Sequence, residues 1–452
     1  MARDPSFRWG DVRVKDFATS TDPGVQAQLD RLAQLSVPDG RLGLETERAL
    51  LARLGDPHKR LPPTFHVAGT NGKGSTCAFL RAMLEAEGYR VHTTTSPHLV
   101  RYNERIRLAG TLISDEELAA TLTEVLDASE GLNPSFFEVT IAAAFLAFSR
   151  TAADACVVEV GLGGRFDATN VLEPEVLAAC GIAALGIDHE RFLLAPEEGV
   201  PEEPIARIAF EKAGITKPGV PLVTFGEGYP EPARSAIIAT AKRLQSPLRE
   251  FGPDWYCDDF NAGPGMLFYR ERYWEELSLP APSITGEHQY FNAGLAIAML
   301  RSQDRLGVDE AALAKGLRSV QWPARLQRLS AGPLTALVPN QQITVDGGHN
   351  PSAGAAISKA FDSPLHLIIG MLDNKHPRAL IEPLGDRIRS LTVVPVPHHD
   401  SHQVEAFGPD AHAAANVEEA LLGLPSDDYP ILIAGSLYLA GEVLRLNGEV
   451  PD

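Results

Sequence analysis

The stretch "TFHVAGTNGKGSTCAFLRAMLEAEGYRVHTTTS", Thr64 to Ser96, constrains the fold more than any other part of the chain. An apolar, β-rich run leads into a glycine loop. A helical pattern follows in which Phe79, Leu80, Met83 and Leu84 share one face and Gly88 caps the end, and a second β-rich run comes after it. Strand, crossover helix and strand in this order imply two parallel strands in one sheet. Glycines in such a loop let backbone N–H groups converge on phosphate oxygens, the following helix points its positive end at them, and a lysine adds a mobile charge. Gly69, Thr70, Asn71, Gly72, Lys73, Gly74, Ser75 and Thr76 supply these parts. Only Thr70 and Asn71 separate Gly69 from Gly72, whereas the common phosphate loop has four residues before its Gly-Lys pair.

The alternation continues downstream. "DACVVEVG" and "VLAACGIAALGI" read as strands buried on both faces of a parallel sheet, and "FFEVTIAAAFLAFSRT" as a buried helix. A second set, "QITVDGG", "LHLIIGML", "SLTVVPVP" and "YPILIAGS", is separated by helical stretches at "HPRALIEPLGDRI" and "NVEEALLGL". A chain of 452 residues exceeds what one core usually supports. The Trp-Pro step in "LRSVQWPARLQRL" places a boundary near Val320 to Pro323, giving expected domains of 1–319 and 324–452. The acidic, Pro-rich "LLAPEEGVPEEPIA", Leu193 to Ala206, reads as a surface loop.

With 40 Lys and Arg against 59 Asp and Glu, the net charge of −19 argues against nucleic-acid backbones and anionic membranes as partners. A small anion held by local basic groups remains compatible, because salt confines the general field to roughly 8 Å. Cys77, Cys156, Cys180 and Cys257 form no C-x-x-C pair, which fits a reducing cytoplasm rather than a disulfide or zinc framework. "MARDPSFRWGDVRVKD" lacks the apolar core of a signal peptide, and no apolar run is long enough to span a membrane.

"GTNGKGST" resembles the loop of the Mur-ligase superfamily, in particular its folate branch, the folylpolyglutamate synthases and dihydrofolate synthases. "TTSPHLVRYNERIRLAG", "FFEVT", "VVEVGLGGRFDATN", "IGIDH", "IAFEKAGITKPGVP", "GEHQYFNAGLAIAM", "WPARLQRL", "TVDGGHNPSAG" and "AGSLYLAGEV" extend the resemblance from about Leu42 to Leu444. It implies an α/β protein with a P-loop, Mur-ligase-type central domain on a mostly parallel sheet and a smaller Rossmann-like C-terminal domain. The implied activity is ATP-dependent amide ligation of L-glutamate to dihydropteroate, reduced folate or both, with magnesium at two sites. The chain is then expected to be a cytoplasmic monomer whose partners are small molecules.

By resemblance, Lys73 contacts the β/γ-phosphates, and Ser96, Glu159 and His189 hold magnesium. Lys212 carries a carbamate that serves a second magnesium, while Asn292, Arg325 and Asp346 meet the nucleotide. His349, Ser436 and Tyr438 lie toward glutamate, and Asp167 and Ser135 toward the pterin; Ser135 stands where bifunctional members often have threonine. Residue chemistry alone reads Lys212 as a solvated helix lysine and Arg325 as a surface arginine. It leaves Glu159 as a costly buried carboxylate without a partner or metal.

Four competing readings stand beside this one. "GLGGRF" fails as a dinucleotide fingerprint, because Phe166 occupies the position where a small residue permits close helix packing. His398, His399 and His402 in "PHHDSH" suggest zinc, but a polar loop near the cleft fits their spacing better. A cell-wall Mur ligase, or a nucleotide-binding interaction protein without catalysis, would keep part of the motif set.

Overall fold

Five consecutive buried residues make β1 (Thr64–Ala68) a central strand, hydrogen-bonded in parallel to a neighbour on each side. In the computed structural model, which describes residues 19–35, 43–258, 265–272 and 276–452, it lies inside an eight-stranded sheet. The N-terminal "MARDPSFRWGDVRVKD" read above for a leader lies outside the described residues, as does the start of the expected first domain. The other strands are β2 (Val91–Thr94), β3 (Ile106–Leu108), β4 (Thr111–Leu112), β5 (Ala155–Glu159), β6 (Leu177–Ile182), β7 (Leu222–Thr224) and β8 (Leu248–Glu250). Their order is β4-β3-β2-β5-β1-β6-β7-β8, and only the β2–β3 and β3–β4 pairings are antiparallel.

The helix Lys73–Glu87 ends at Gly88, whose φ of 106° is the left-handed cap that the sequence implies. Phe79, Leu80, Met83 and Leu84 are fully buried, as expected. Cys77 and Ala78 are buried too, so this helix is covered on more than the one face its pattern suggests. The helices Glu287–Arg301 and Glu310–Ser319 pack against it.

Two further sheets are present among the described residues. Strands β9 (Trp255–Asp258), β10 (Met266–Glu271) and β11 (Leu277–Pro280) form an antiparallel ribbon absent from the sequence reading. Then β12 (Gln327–Arg328), β13 (Ile343–Asp346), β14 (Leu365–Ile369), β15 (Ile388–Val393), β16 (Ala411–Ala413) and β17 (Ile431–Ala434) form a sheet ordered β12-β13-β17-β14-β15-β16, parallel except at β12. One apolar cluster runs from Val25 to Val320, and two others start at Ala324 and Leu326.

One local expectation needs correction, and the surface-loop reading holds except at its last residues. "HPRALIEPLGDRI" is not a continuous helix: only Ile381–Leu384 is α-helical, and a 3₁₀ turn follows at Gly385–Arg387. Pro383 donates no N–H, and Gly385 takes a φ of 51°, so the ladder cannot propagate. The Leu193–Ala206 segment is exposed at its centre, yet Glu203 accepts from Ala206 N to start the helix Pro204–Ala213. Glu197 within it accepts from both Arg165 and Arg207, which pins the loop to that helix.

Candidate active site

Parallel sheets expose the loops that follow their strands, and ligands of such folds gather at those carboxyl ends. Here two sheets face one another in this way. The loops after β1, β2, β5 and β6 and the loops after β13, β14 and β17 line one cavity of about 840 Å³.

At the end of β1, Gly72 adopts φ 83° as the N-cap of the helix Lys73–Glu87, and no side chain caps that helix. A Cβ at Gly72 would collide with Asn292 Oδ1, and one at Gly74 would lie 2.5 Å from the Trp322 ring, so the loop is tightly covered. Uncapped N–H groups and the helix dipole leave an anion site open. Lys73 Nζ donates to the carbonyls of Gly69 at 3.1 Å and Thr70 at 3.4 Å, folded back over the loop it would serve. Thr76 bonds back to the Gly72 carbonyl, and Ser75 is buried against the cavity.

Glu159 ends β5, is only 5% exposed, and accepts from Ser96 N at 3.0 Å. Burial pushes its pKa up, against the pull of the Lys73 charge and the Ser96 hydrogen bond. His189 lines the same wall with φ 52°, and desolvation at the cavity wall with the nearby lysine charges outweighs the pull of Asp188 and lowers its pKa to about 4, so its imidazole is neutral and able to ligate. Carboxylate, hydroxyl and neutral imidazole suit a divalent cation whose remaining ligands are waters and phosphates. Among the described residues no three His, Cys, Asp or Glu side chains close an all-protein metal cage. The set fits a substrate-assisted cation.

Lys212 is 4% exposed, not the solvated lysine that its composition implies. Burial, with the nearby Lys73 charge, lowers its pKa to about 7. The adjoining Glu211 is held by Arg165 at 2.9 Å and Arg207 at 3.0 Å, which fixes the last turn of the helix Pro204–Ala213.

From the other side, Arg325 enters the cavity between two residues with left-handed backbones, Ala324 at φ 58° and Leu326 at φ 45°. Non-glycine residues hold such angles only when their surroundings fix them. Gln327 Oε1 accepts from Ala324 N at 2.9 Å, and Asp346 Oδ2 from Leu326 N at 2.9 Å. Asp346 Oδ1 accepts from Gly348 N at 2.7 Å, so this carboxylate organises the arginine loop as well as lining the cavity. Asn292, beneath the phosphate loop, is oriented by Gln289 at 3.0 Å.

Contacts the sequence did not suggest join the two halves. Asn71 and Asn350 exchange reciprocal amide hydrogen bonds of 3.1 and 3.0 Å. Asp188, beside His189, accepts from Lys375 at 2.6 Å and lies 3.6 Å from His349 Nε2. Burial alone would raise the Asp188 pKa, but His349, His189 and Lys375 hold it well below the carboxylate range. The only available signal was the polar pair closing "IGIDH" and the lysine after the strand in "GMLDNK".

Ser436 caps the helix Leu437–Asn447 by accepting from Tyr438 N at 3.2 Å, and both residues line the cavity. Asp167 lines it too, but its oxygens accept from Leu162 N at 2.8 Å and Thr169 N at 3.1 Å. Ser135 caps the helix Phe136–Arg150 in a reciprocal pair with Glu138. Beside them Phe136, Phe137, Leu162 and Phe166 form an apolar wall. Phe225, Phe251 and Phe291, far apart in the chain, form another.

Among the described residues His398, His399 and His402 belong to no cluster of three His, Cys, Asp or Glu side chains that could hold a metal ion. His399 stacks on Tyr438 at 3.9 Å between ring centroids, and His402 Nε2 meets the Lys375 carbonyl at 2.7 Å. The segment is a polar loop that backs the cleft wall.

No family model matches the chain, but individual proteins do. It is 33% identical over 438 residues to the dihydrofolate synthase/folylpolyglutamate synthase of Bacillus subtilis, spanning 89% of this chain and 94% of that protein. The Escherichia coli enzyme FolC in complex with DHPP and ADP superposes with a TM-score of 0.79 at 28% identity, covering 93% of this chain and 97% of that one. A bifunctional folylpolyglutamate synthase/dihydrofolate synthase with Mn, AMPPNP and L-glutamate bound gives 0.79 at 27%, covering 94% and 98%. An open phosphate loop, a buried metal-competent carboxylate and a facing arginine thus sit on a shared fold, and the chain belongs to the folylpolyglutamate synthase/dihydrofolate synthase family.

Proposed function

We propose that this ATP-dependent glutamate ligase acts on dihydropteroate, on reduced folate, or on both, through an acyl phosphate. A carboxylate oxygen of the pterin-linked substrate attacks the γ-phosphorus, and the bond to the β–γ bridging oxygen breaks to leave ADP. The glutamate amine then attacks the acyl carbon, the C–O bond to phosphate breaks, and the nitrogen loses a proton. Lys73 and the uncapped helix end offset charge on the transferring group, as preorganised donors do best in a site shielded from water. Ser96, Glu159 and His189 would hold magnesium, which supplies Lewis-acid polarisation of the phosphate oxygens. The Lys212 amine, with its pKa near 7, is suited to add to CO₂ and lose a proton, giving an anionic carbamate for a second magnesium.

We read residues 1–319 and 324–452 as two domains that close over the nucleotide, with Arg325, Asn292 and Asp346 on its sugar and phosphate side. His349, Ser436 and Tyr438 face glutamate, and Asp167 and Ser135 border the pterin end, where the Phe136 and Phe137 wall suits a flat ring. The four cysteines are free and buried, in keeping with a cytoplasmic enzyme. No helix among the described residues is long and apolar enough to cross a membrane. With the acidic charge balance, we take its partners to be small molecules, with neither nucleic acid nor membrane, and the enzyme to act as a monomer.

The observation that carries this reading is the uncapped helix end at Gly72 and Lys73 sharing one cavity with Glu159 and with Arg325 from the opposite sheet. Purified enzyme should release ADP only when both L-glutamate and a pterin substrate are present. Comparing dihydropteroate with tetrahydrofolate assigns one activity or both, and glutamate-independent turnover with each would sink the proposal.

A further inference from the structure

A second pocket of about 280 Å³ lies behind the phosphate-loop helix. Ser96, Glu159 and Arg325 border both this pocket and the main cavity, so the two meet where the γ-phosphoryl group is expected to react. Arg81, from that helix, and Arg107, just after β3's Ile106, supply its basic wall.

Arg81 has no hydrogen bond or ion pair among the described residues, and burial lowers its pKa against the opposing pull of the Glu85 charge. Arg107 donates to the Gly110 carbonyl at 3.1 Å and to the Asp452 carbonyl, and burial beside Arg81 lowers its pKa to about 10. Of the carboxylates nearby, Glu85 acts on both guanidinium groups and keeps one buried oxygen without a hydrogen-bond partner, whereas two others are committed elsewhere. Glu104 accepts from the N–H groups of Leu99, Val100 and Arg101 at 2.7–2.9 Å, and Glu449 from Gln327, Ser330 and Asn447 at 2.6–3.0 Å. Two partly desolvated guanidinium groups thus share the single charge of Glu85, while the Asp452 side chain beside Arg107 is fully exposed, which leaves positive charge at the pocket open to an anion.

We propose that the Arg81–Arg107 pocket binds inorganic phosphate, receiving it after amide formation and releasing it behind the phosphate loop while ADP still fills the main cavity. The proposal rests on the ligase reading, which requires phosphate to be formed at the Ser96–Glu159 wall. The pocket is small for a nucleotide, and planar guanidinium edges match phosphate oxygens in pairs. The segment Val450–Asp452 lies along the rim, where Arg101 donates to the Pro451 carbonyl at 3.0 Å, so phosphate reaching Arg107 displaces the exposed Asp452 end while Glu85 stays in place.

The test is calorimetric titration of inorganic phosphate into enzyme saturated with ADP, without turnover. One phosphate should bind, and Arg81→Leu and Arg107→Leu should each raise its Kd at least about tenfold, as loss of a charge-assisted hydrogen bond implies. Arg81→Lys, which keeps the charge, should recover part of the affinity, and ADP binding to the same samples reports an intact fold. Undiminished binding by both leucine variants, or no phosphate binding by the unmodified enzyme, overturns the proposal. So does competitive displacement by L-glutamate, which would assign the arginines to that substrate's carboxylates. Because the titration needs no catalysis, an enzyme lacking glutamate-dependent ADP release would sink the ligase reading separately.

Discussion

Two helices begin at corresponding corners of the facing sheets, and they treat their N-termini in opposite ways. After β1, Gly72 offers no side chain, and the first turn of the helix Lys73–Glu87 stays uncapped. After β13, Asn350 Oδ1 accepts from Ala353 N at 2.9 Å, so the helix Pro351–Ser358 is satisfied by its own chain. After β17, Ser436 does the same for the helix Leu437–Asn447. A glycine loop alone does not make an anion site, since Gly347 and Gly348 also precede a helix. What distinguishes the β1 corner is that its donors are left for a ligand and a lysine waits beside them.

The sharpest way to break this contrast is at Lys73. Lys73→Ala should lower kcat about 10²- to 10³-fold, the range seen when one preorganised donor is lost. Thermal melting should change little, because the side chain contacts only loop carbonyls. A melt that collapses instead would make Lys73 a structural residue.

The next effect concerns Lys212, whose pKa of about 7 lies far below the unfolded lysine value of about 10.4. The neutral amine, the form that takes up CO₂, grows from roughly a tenth at pH 6 to roughly nine tenths at pH 8. Bicarbonate-stimulated activity should therefore climb across that window, and Lys212→Met should abolish the stimulation. Stability follows by linkage. Between about pH 7 and 10.4 the unfolded chain holds a proton that the folded chain does not, so stability rises with pH. The destabilisation from Lys212 is greatest below pH 7, and Lys212→Met should raise the melting temperature more at pH 6.5 than at pH 10. Equal gains at both values would remove the burial argument.

The smallest change belongs to the capped corner. Asn350→Ala should cost about 1 kcal/mol of stability through the lost cap and raise the KM for ATP severalfold through loss of the Asn71 pair. Denaturant unfolding and steady-state kinetics read the two effects. If kcat fell as far as in Lys73→Ala, the capped and uncapped corners would be functionally alike and the comparison would fail.

Much of this site was legible in the chain. Loop glycines, the helix that follows and its Gly88 cap are local, set by spacing over one or two turns, and Glu159 stood out because a carboxylate at the end of an apolar strand needs a partner. Other features were misread for physical reasons. "HPRALIEPLGDRI" has a helical apolar pattern, but Pro383 and Gly385 interrupt the hydrogen-bond ladder. Lys212 beside Glu211 looks like a solvated pair, yet Glu211 is taken by two remote arginines, Arg165 and Arg207.

The βαβ unit, the phosphate loop with its short gap between Gly69 and Gly72, and the family to which these motifs point could all be read from the chain before it folded. Tertiary structure alone decided that Asp188 meets Lys375, 187 positions away, and that Asn71 meets Asn350, 279 positions away. It also decided that Lys212 is buried and that Arg81 faces a pocket beside Arg107. Backbone conformation within a turn follows from neighbouring residues, whereas burial, charge pairing and pKa follow from which distant segments pack together.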